Sequence, residues 1–530
     1  MKRYPAVPDV RKFIAVFLCA LCVSCPAAAC AEGRETEPAA VSVSGIIRGR
    51  TRIEYLKEPL WFDDTELFSD FETDLYLWSV REDWYHIPAV RTNDFVNPEI
   101  VFPDGFPDYG SMAENRAIRF LVYDTDHYYE GKAAVTSLPV AALWCDEPGS
   151  AYDWVDMKVW DNEKGTMTDS AGMIKIRGGT TRVFPKKSYR ISLKDGDLEK
   201  KRHLSFLGMR RDDDWILYPA YNDQEKIRNV FCSNLWLETC AGKNGKGVRN
   251  GNEYRYVELF INDTYRGLYA LGNPLDGKEM LSDGENAVLY KKIIWSDEME
   301  DLDSDSAALP GYEISKASGR YKNDADACWK LLRDYYSFLR DNRNNSEKLA
   351  EMIDPENFIH FALFINLVQG RDNGAGGTRI KNVLLCLTDS GKGITSTIAP
   401  WDMDLTFGNG YIADPERNNT LCYTLAPTVN LEFAYGHFGQ ILDNGDTDLA
   451  ETVRNRYWAL RRDLWSDENI NRMIDRYEKD IYGSGAFLRD RERWPDGTYN
   501  DPEERLDAFR RYVMDRLRAC DLLYAVPDVP

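Results

Sequence analysis

Apolar and polar residues alternate in short runs over the first two-thirds of the chain and recur at helical spacing over the last part. Residues 138–144 (Leu-Pro-Val-Ala-Ala-Leu-Trp) and 173–177 (Met-Ile-Lys-Ile-Arg) read as strands. So does 183–193, where Lys187, Tyr189 and Ile191 share one face and Lys186, Ser188 and Arg190 the other. A strand at 213–220 follows an acidic turn, and Asn222 or Asp223 caps a helix over 230–240. Residues 256–261 and 265–271 flank Asn262-Asp263-Thr264 and predict a hairpin. Strands over 287–294, 380–387 and 394–398 are interleaved with helices over 326–341 and 358–368. The first of these helices carries Trp329, Leu332, Tyr336 and Leu339 on one face; the second opens on Asp354 with Pro355 in its first turn. Helices over 448–464, 467–482 and 502–524 close the chain, with many charge pairs four residues apart. Strands, then a mixed region, then helices predict an α+β chain of two lobes rather than alternating βαβ units.

The first 136 residues read differently. Lys2, Arg3, Arg11 and Lys12 precede an apolar run at 13–23 and small residues at 27–31, the pattern of an export signal over 1–31. A lipid-bearing Cys25 or Cys30 is the alternative form of export. No later apolar run reaches transmembrane length. Residues 32–44 form a polar linker. Strands at 45–52, 75–80 and 117–123 sit among Trp, Tyr, Phe and Asp, as a small β domain or as an elaboration of the main domain. Aromatics beside acids permit carbohydrate stacking, but packing a core is their plainer use. The main domain is expected over 137–525.

Charge and cysteine usage narrow the partners. Without the first 31 residues, which hold four basic residues and one acid, the formal charge falls from −21 to −24. Such a surface disfavours nucleic acid and anionic membrane, and suits cationic partners and metal ions. The seven cysteines beyond the signal are scattered without C-x-x-C spacing, which argues against a zinc ribbon and a dense disulfide framework; Cys232 and Cys240 could pair, or equally serve as apolar helix or strand residues. An acidic run at 297–305 lacks the spacing of an EF-hand.

The candidate chemistry lies in three places. The strand at 394–398 runs into Pro-Trp-Asp-Met-Asp-Leu-Thr-Phe-Gly at 400–408, so Asp402 falls where the ladder stops. On an extended segment Asp402 and Asp404 face the same way, and two close carboxylates repel unless a hard cation or a proton joins them. Read alone, the pair is more simply a solvated acidic turn. A Gly-rich turn at 178–182 leads into the basic strand, a geometry that brings backbone N–H groups and cations to an anion, or else an ordinary hairpin. A second Gly-rich loop at 370–378 carries Asp372, and Asn382 follows near a strand start. Glycine loop, strand lysine, loop aspartate, asparagine and metal aspartate come in the order a protein kinase uses, without its H-R-D, D-F-G or A-P-E spacing.

Four blocks resemble the CotH kinase family, the spore coat protein H-like secreted atypical kinases. They are Arg-Gly-Gly-Thr-Thr-Arg-Val-Phe-Pro-Lys-Lys-Ser-Tyr-Arg at 177–190, Asp-Asp-Trp-Ile-Leu at 213–217 with Asp223 and Arg228-Asn229 downstream, Val-Glu-Leu-Phe-Ile-Asn-Asp-Thr-Tyr-Arg-Gly-Leu-Tyr at 257–269, and 400–408. A late Arg493-Trp494 and Arg516 also match. The resemblance implies a divergent two-lobed protein-kinase-like fold, β-rich first and helical last, that moves the γ-phosphoryl group of ATP to a protein Ser/Thr or another hydroxyl outside the cytoplasm. By position it makes Asp372 the catalytic aspartate. Asn382 and Asp402 become Mg2+ ligands with Asp404 in or near the metal shell, and Lys187, or else Lys186, contacts the phosphates beside Arg177. The chain departs from the pattern where relatives carry a Glu soon after the third block; here the residues are Leu-Gly-Asn-Pro-Leu-Asp at 271–276. A non-catalytic pseudokinase-like surface or coat assembly protein is the alternative, and a carbohydrate-associated module a third. Oligomeric state and substrate are left open by the sequence.

Overall fold

The computed structural model describes residues 43–525, except 197–198, 283, 297–300, 305, 343–344, 375–379, 412–419, 422, 424–425 and 428–446. The export signal, Cys422 and most of the acidic run therefore lie outside the described residues. Described residues from Ser42 onward form one compact unit. Among them no helix is long and apolar enough to cross a membrane.

A closed seven-stranded barrel stands at the centre of the β-rich part. Its strands are β1 (Val140–Trp144), β2 (Asp153–Asp161), β3 (Thr166–Arg177), β4 (Ser188–Lys194), β5 (Asp214–Tyr218), β6 (Tyr254–Ile261) and β7 (Thr264–Gly272). The order is β1-β2-β3-β4-β5-β7-β6, and the parallel pairing of β1 with β6, Val140 opposite Glu258, closes the ring. Period-two alternation fills the interior with Ile174, Tyr189, Ile191, Trp215, Leu217 and Leu271, among others. The opposite parity sends Arg177 and Arg190 to the outer surface. The hairpin turns on Asn262 and Asp263, both with φ above +50°, as its residue types predict.

The basic strand is shorter than its alternation suggests. Pro185 has no N–H to give to a ladder, residues Thr180–Val183 wind into a 3₁₀ turn, and pairing begins only at Ser188. Lys186 and Lys187 thus precede the strand. The strand expected at 45–52 is instead a short helix, Val43–Ile47, followed by a two-residue strand, Thr51–Arg52.

A second, four-stranded sheet contains β8 (Ala287–Lys292), β9 (Tyr312–Ala317), β10 (Val383–Asp389) and β11 (Ile394–Pro400), in the order β9-β8-β10-β11. Helices α1 (Arg228–Cys240), α2 (Ala325–Asp341) and α3 (Pro355–Val368) pack with it in one core, joined by α4 (Thr447–Arg461), α5 (Asp467–Glu478), α6 (Ala486–Arg493) and α7 (Asp507–Leu523). Asp354 caps α3 through the Asn357 amide at 3.0 Å, with Pro355 in the first turn. The α+β class holds.

Upstream, Phe68–Asp70, Leu75–Ser79, His127–Thr136, Ile118–Tyr123 and Glu99–Val101 form a sheet whose edge helpers include Thr51–Arg52. Phe62, on the separate short strand Trp61–Phe62, packs edge-on against Trp78 and Phe120 of this sheet, with ring centroids 5.2 and 5.3 Å away. Cys232 and Cys240 are free thiols along one helix, with no disulfide between them.

Candidate functional site

The end of the second sheet brings the candidate acids together. Val383 on β10 lies opposite Pro400 on β11, so Asn382 and Trp401 leave the sheet side by side. The Trp401 amide donates to the Asn382 carbonyl at 2.8 Å. Asn382 and Asp402 both adopt left-handed backbone, φ 55° and 58°, a region that Asn and Asp tolerate better than most residues. These two turns swing the chain off the strands. Asn373, which no sequence motif singled out, locks the crossing: its Nδ2 donates to the carbonyls of Asn382 at 2.8 Å and Trp401 at 3.0 Å. Asp372 is thereby held against the next turn. Its Oδ2 accepts Lys381 Nζ at 2.6 Å and Asn382 Nδ2 at 3.3 Å.

The loop after Asp402 is seated by the start of α1. Asn229 Oδ1 accepts the Met403 amide at 2.9 Å, and Asn222 Nδ2 donates to Asp404 Oδ2 at 3.0 Å. The Asp223–Asn229 block has its structural reason here. Asp223 accepts the Arg228 backbone amide at 2.6 Å, and both Asp223 and Glu225 take the buried Arg228 guanidinium at 2.5 Å. That ion cluster fixes the helix start from which Asn229 reaches the loop. On the far side, Arg371 N donates to Leu405 O at 3.1 Å and Phe407 N to Val368 O at 2.6 Å, stitching the Asp372 and Asp402 loops together. Gly408 sits at φ +80° with the Tyr512 ring where a Cβ would be, 2.6 Å from the nearest ring carbon, so only glycine fits.

The charges of this cluster are coupled. Burial, and then Asp402 and Asp372, push the Asp404 carboxyl up to about 8 against the pull of Asn222 and Lys381. Asp372 is raised as well, by burial first and by Asp402, while Lys381 holds it down. The donor set is entirely oxygen: carboxylates of Asp372, Asp402 and Asp404, and the amide of Asn382. Such a set fits a hard divalent cation, which would relieve the repulsion that raises Asp404. The three carboxylates are nevertheless not drawn into a tight ligand group. The group whose ligand atoms all lie within 4.8 Å, among the described residues, is His203, Asp212 and Asp213. There Lys201 and Lys278 already meet Asp213 at 2.6 and 2.5 Å, and Arg210 meets Asp212 at 2.5 Å, so cationic side chains balance it.

The basic residues of the first block divide three ways. Arg177, half-buried, stands over the Trp401 ring with Cζ 5.3 Å from its centroid and donates to Ser188 Oγ at 3.4 Å. It is the residue of that block brought to the acidic loop. Lys187 reaches back to the Arg182 carbonyl at 2.7 Å and closes the turn. Lys186 is fully buried, and its three donors are spent on Pro219 O, Leu268 O and Asp490 Oδ1, at 2.7, 2.6 and 2.7 Å. No donor of Lys186 is left for a phosphate. Its carboxylate partner explains Gly267 in the third block: at φ +97°, a Cβ there would overlap Asp490. A lysine outside every block, Lys291 on β8, also faces Trp401, Nζ 5.5 Å from the ring centroid. Burial lowers its affinity for a proton, and Arg177 lowers it further, against the pull of Glu313 and Asp402.

Just past residues 271–276 lies a buried acid, Glu279, bound by Asn273 Nδ2 at 2.7 Å and Arg210 Nε at 2.7 Å.

A family model described as CotH kinase protein matches residues 174–520. No curated protein matches the chain.

Proposed function

The chain belongs to the CotH kinase family, and on that premise we propose that it is a divergent, two-lobed kinase-like phosphotransferase acting outside the cytoplasm. It takes ATP with Mg2+ and transfers the γ-phosphoryl group to a protein Ser/Thr or another hydroxyl. Export rests on the signal pattern over 1–31. The observation that carries the reading is the meeting of Asp372, Asn382, Asp402 and Asp404 at one sheet end, with Arg177 arriving from the barrel beside Trp401.

In this reading Asp402 and Asn382 hold the metal. Asn382 turns its NH2 toward Asp372, which leaves Oδ1 as the ligand atom it offers. When bound, the metal neutralises phosphate charge and orients the phosphoryl group. Asp372 is placed to accept the proton of the attacking hydroxyl; burial raises its basicity, and Lys381 works against that rise. Arg177 holds phosphate oxygens, and Lys187 keeps the glycine turn closed around them. Asp404 completes the negative shell from its bond to Asn222.

Purified protein lacking residues 1–31, given labelled ATP and Mg2+, should phosphorylate itself or an added carrier. Asp372→Asn and Asp402→Ala should each reduce labelling by roughly a hundredfold or more, the scale for loss of a general base or metal contact. Undiminished labelling by Asp402→Ala would remove Asp402 from the metal site. Thermal stabilisation by ATP without any transfer would favour a non-catalytic scaffold instead. Detection of the unprocessed chain solely in the cytoplasm would end the proposal of export.

A further inference from the structure

Two cations reach the same ring from different sheets. Arg177 comes from the last position of β3 in the barrel, and Lys291 from β8 in the second sheet, whose neighbour β10 begins next to Asn382. Their charged ends lie 5.3 and 5.5 Å from the Trp401 centroid, and Trp401 is itself 9% exposed. Neither cation is closely compensated. Among the described residues, the carboxylate paired with Lys291 is Glu313 at 4.0 Å, half of whose side chain is exposed. Arg177 has the Ser188 hydroxyl at 3.4 Å and, among the described residues, no ion pair. In a chain of formal charge −21, most other buried cations are matched: Arg228, Lys186 and Arg489 all have carboxylates against them. Half-buried cations without close partners mark a place that an anion completes.

We propose that Lys291 and Arg177 form one anion cradle, floored by Trp401, that takes the phosphate chain of a nucleotide. The proposal rests on the phosphotransferase reading and adds to it a lysine that lies outside the family's basic strand. Arginine offers a planar fork to two phosphate oxygens, and lysine a compact charge for a third. An anion held by both bridges the barrel to the sheet that carries Asn382 and Asp402. It therefore sets the phosphates against the metal aspartate in the act of binding.

The probe is inorganic tripolyphosphate, titrated with and without Mg2+ into the full mature chain by calorimetry and thermal shift, with ATP run beside it. The parent should bind both. Lys291→Met keeps the length of the side chain and should weaken both ligands by roughly tenfold to a hundredfold, the range for losing one charge-assisted contact. Lys291→Arg should restore most of that, and Arg177→Met gives a second, independent loss. Melting of each variant without ligand separates a folding defect from a binding one. A parent indifferent to tripolyphosphate and ATP, or a folded Lys291→Met that binds as the parent does, overturns the cradle. Binding that depends on Lys291 in a protein that transfers no phosphoryl group leaves the cradle standing and removes the kinase reading instead.

Discussion

Asp404 is the residue whose chemistry is most exposed to experiment. Its carboxyl is raised from the ordinary 3.8 to about 8, by burial and then by Asp402. The folded state therefore holds a proton that the unfolded chain gives up above about pH 4. Between about pH 4 and pH 8 the folded state binds more protons, so its stability falls as pH rises through that window. Metal-free protein in chelator should melt progressively lower from pH 5 to pH 8. Asp404→Asn removes the titrating group and should flatten that slope while melting higher than the parent at pH 8. Addition of Mg2+ at pH 8 should restore stability to the parent, because a cation held by these carboxylates would replace the missing proton. An unchanged slope in Asp404→Asn would show that the carboxyl titrates normally.

At the level of elements, the family blocks serve mainly to join pieces. The third block forms β6 and β7, and its Glu258 and Gly267 receive Arg489 and Asp490 from α6. The two lysines of the first block illustrate how far a linear pattern reaches. Side by side, they left open which one meets the phosphates; Pro185 delays the strand, and Lys186 turns inward to Asp490 while Lys187 turns back to the loop. The hairpin at 262–264 and the start of α3 were legible because Asn-Asp turns and Asp-Pro caps act locally. Asn373 and Lys291 were not, because each matters only once separate segments meet. The edge strand β9, Tyr-Glu-Ile-Ser-Lys-Ala, alternates over only four residues before Lys316 breaks the pattern, too short a run to announce a strand. Lys186→Met leaves Asp490 buried without its cation and should cost roughly 3–5 kcal/mol of stability. Denaturant unfolding should show that loss, and the fraction that stays folded should respond to ATP as the parent does. A Lys186→Met protein of normal stability but weakened ATP binding would return Lys186 to the phosphate site.

For the whole molecule, the family match and the folding unit begin at different places. The match starts at residue 174, within β3. The barrel closes only through β1 and β2, since β1 pairs with β2 on one side and with β6 on the other. A chain begun at 174 would leave β6 an open edge and expose the apolar interior around Leu259 and Ile191. A start at 137 keeps the barrel but uncovers its outer wall. There Phe260, Tyr265, Trp160 and Ala142 pack against Phe68, Leu77 and Ala134 of the N-terminal sheet. Polar ties would go too: Trp160 Nε1 donates to Ser79 O at 3.1 Å, and Arg493 meets Glu72 at 2.5 Å. Those buried aromatics each account for roughly 1.5–3 kcal/mol, so losing the cover removes a large part of the 5–15 kcal/mol typical of a folded domain. Phe62, Phe68, Trp78 and Phe120 are thus committed to packing, while Tyr55, Phe71 and Trp84 stay exposed. Fragment 174–525 should be insoluble or unfolded by circular dichroism. Fragment 137–525 should be folded weakly at best, with a melting point many degrees below that of residues 32–525 and strong binding of a hydrophobic dye. A 137–525 fragment as stable as the longer chain would make the N-terminal sheet a separate domain with work of its own.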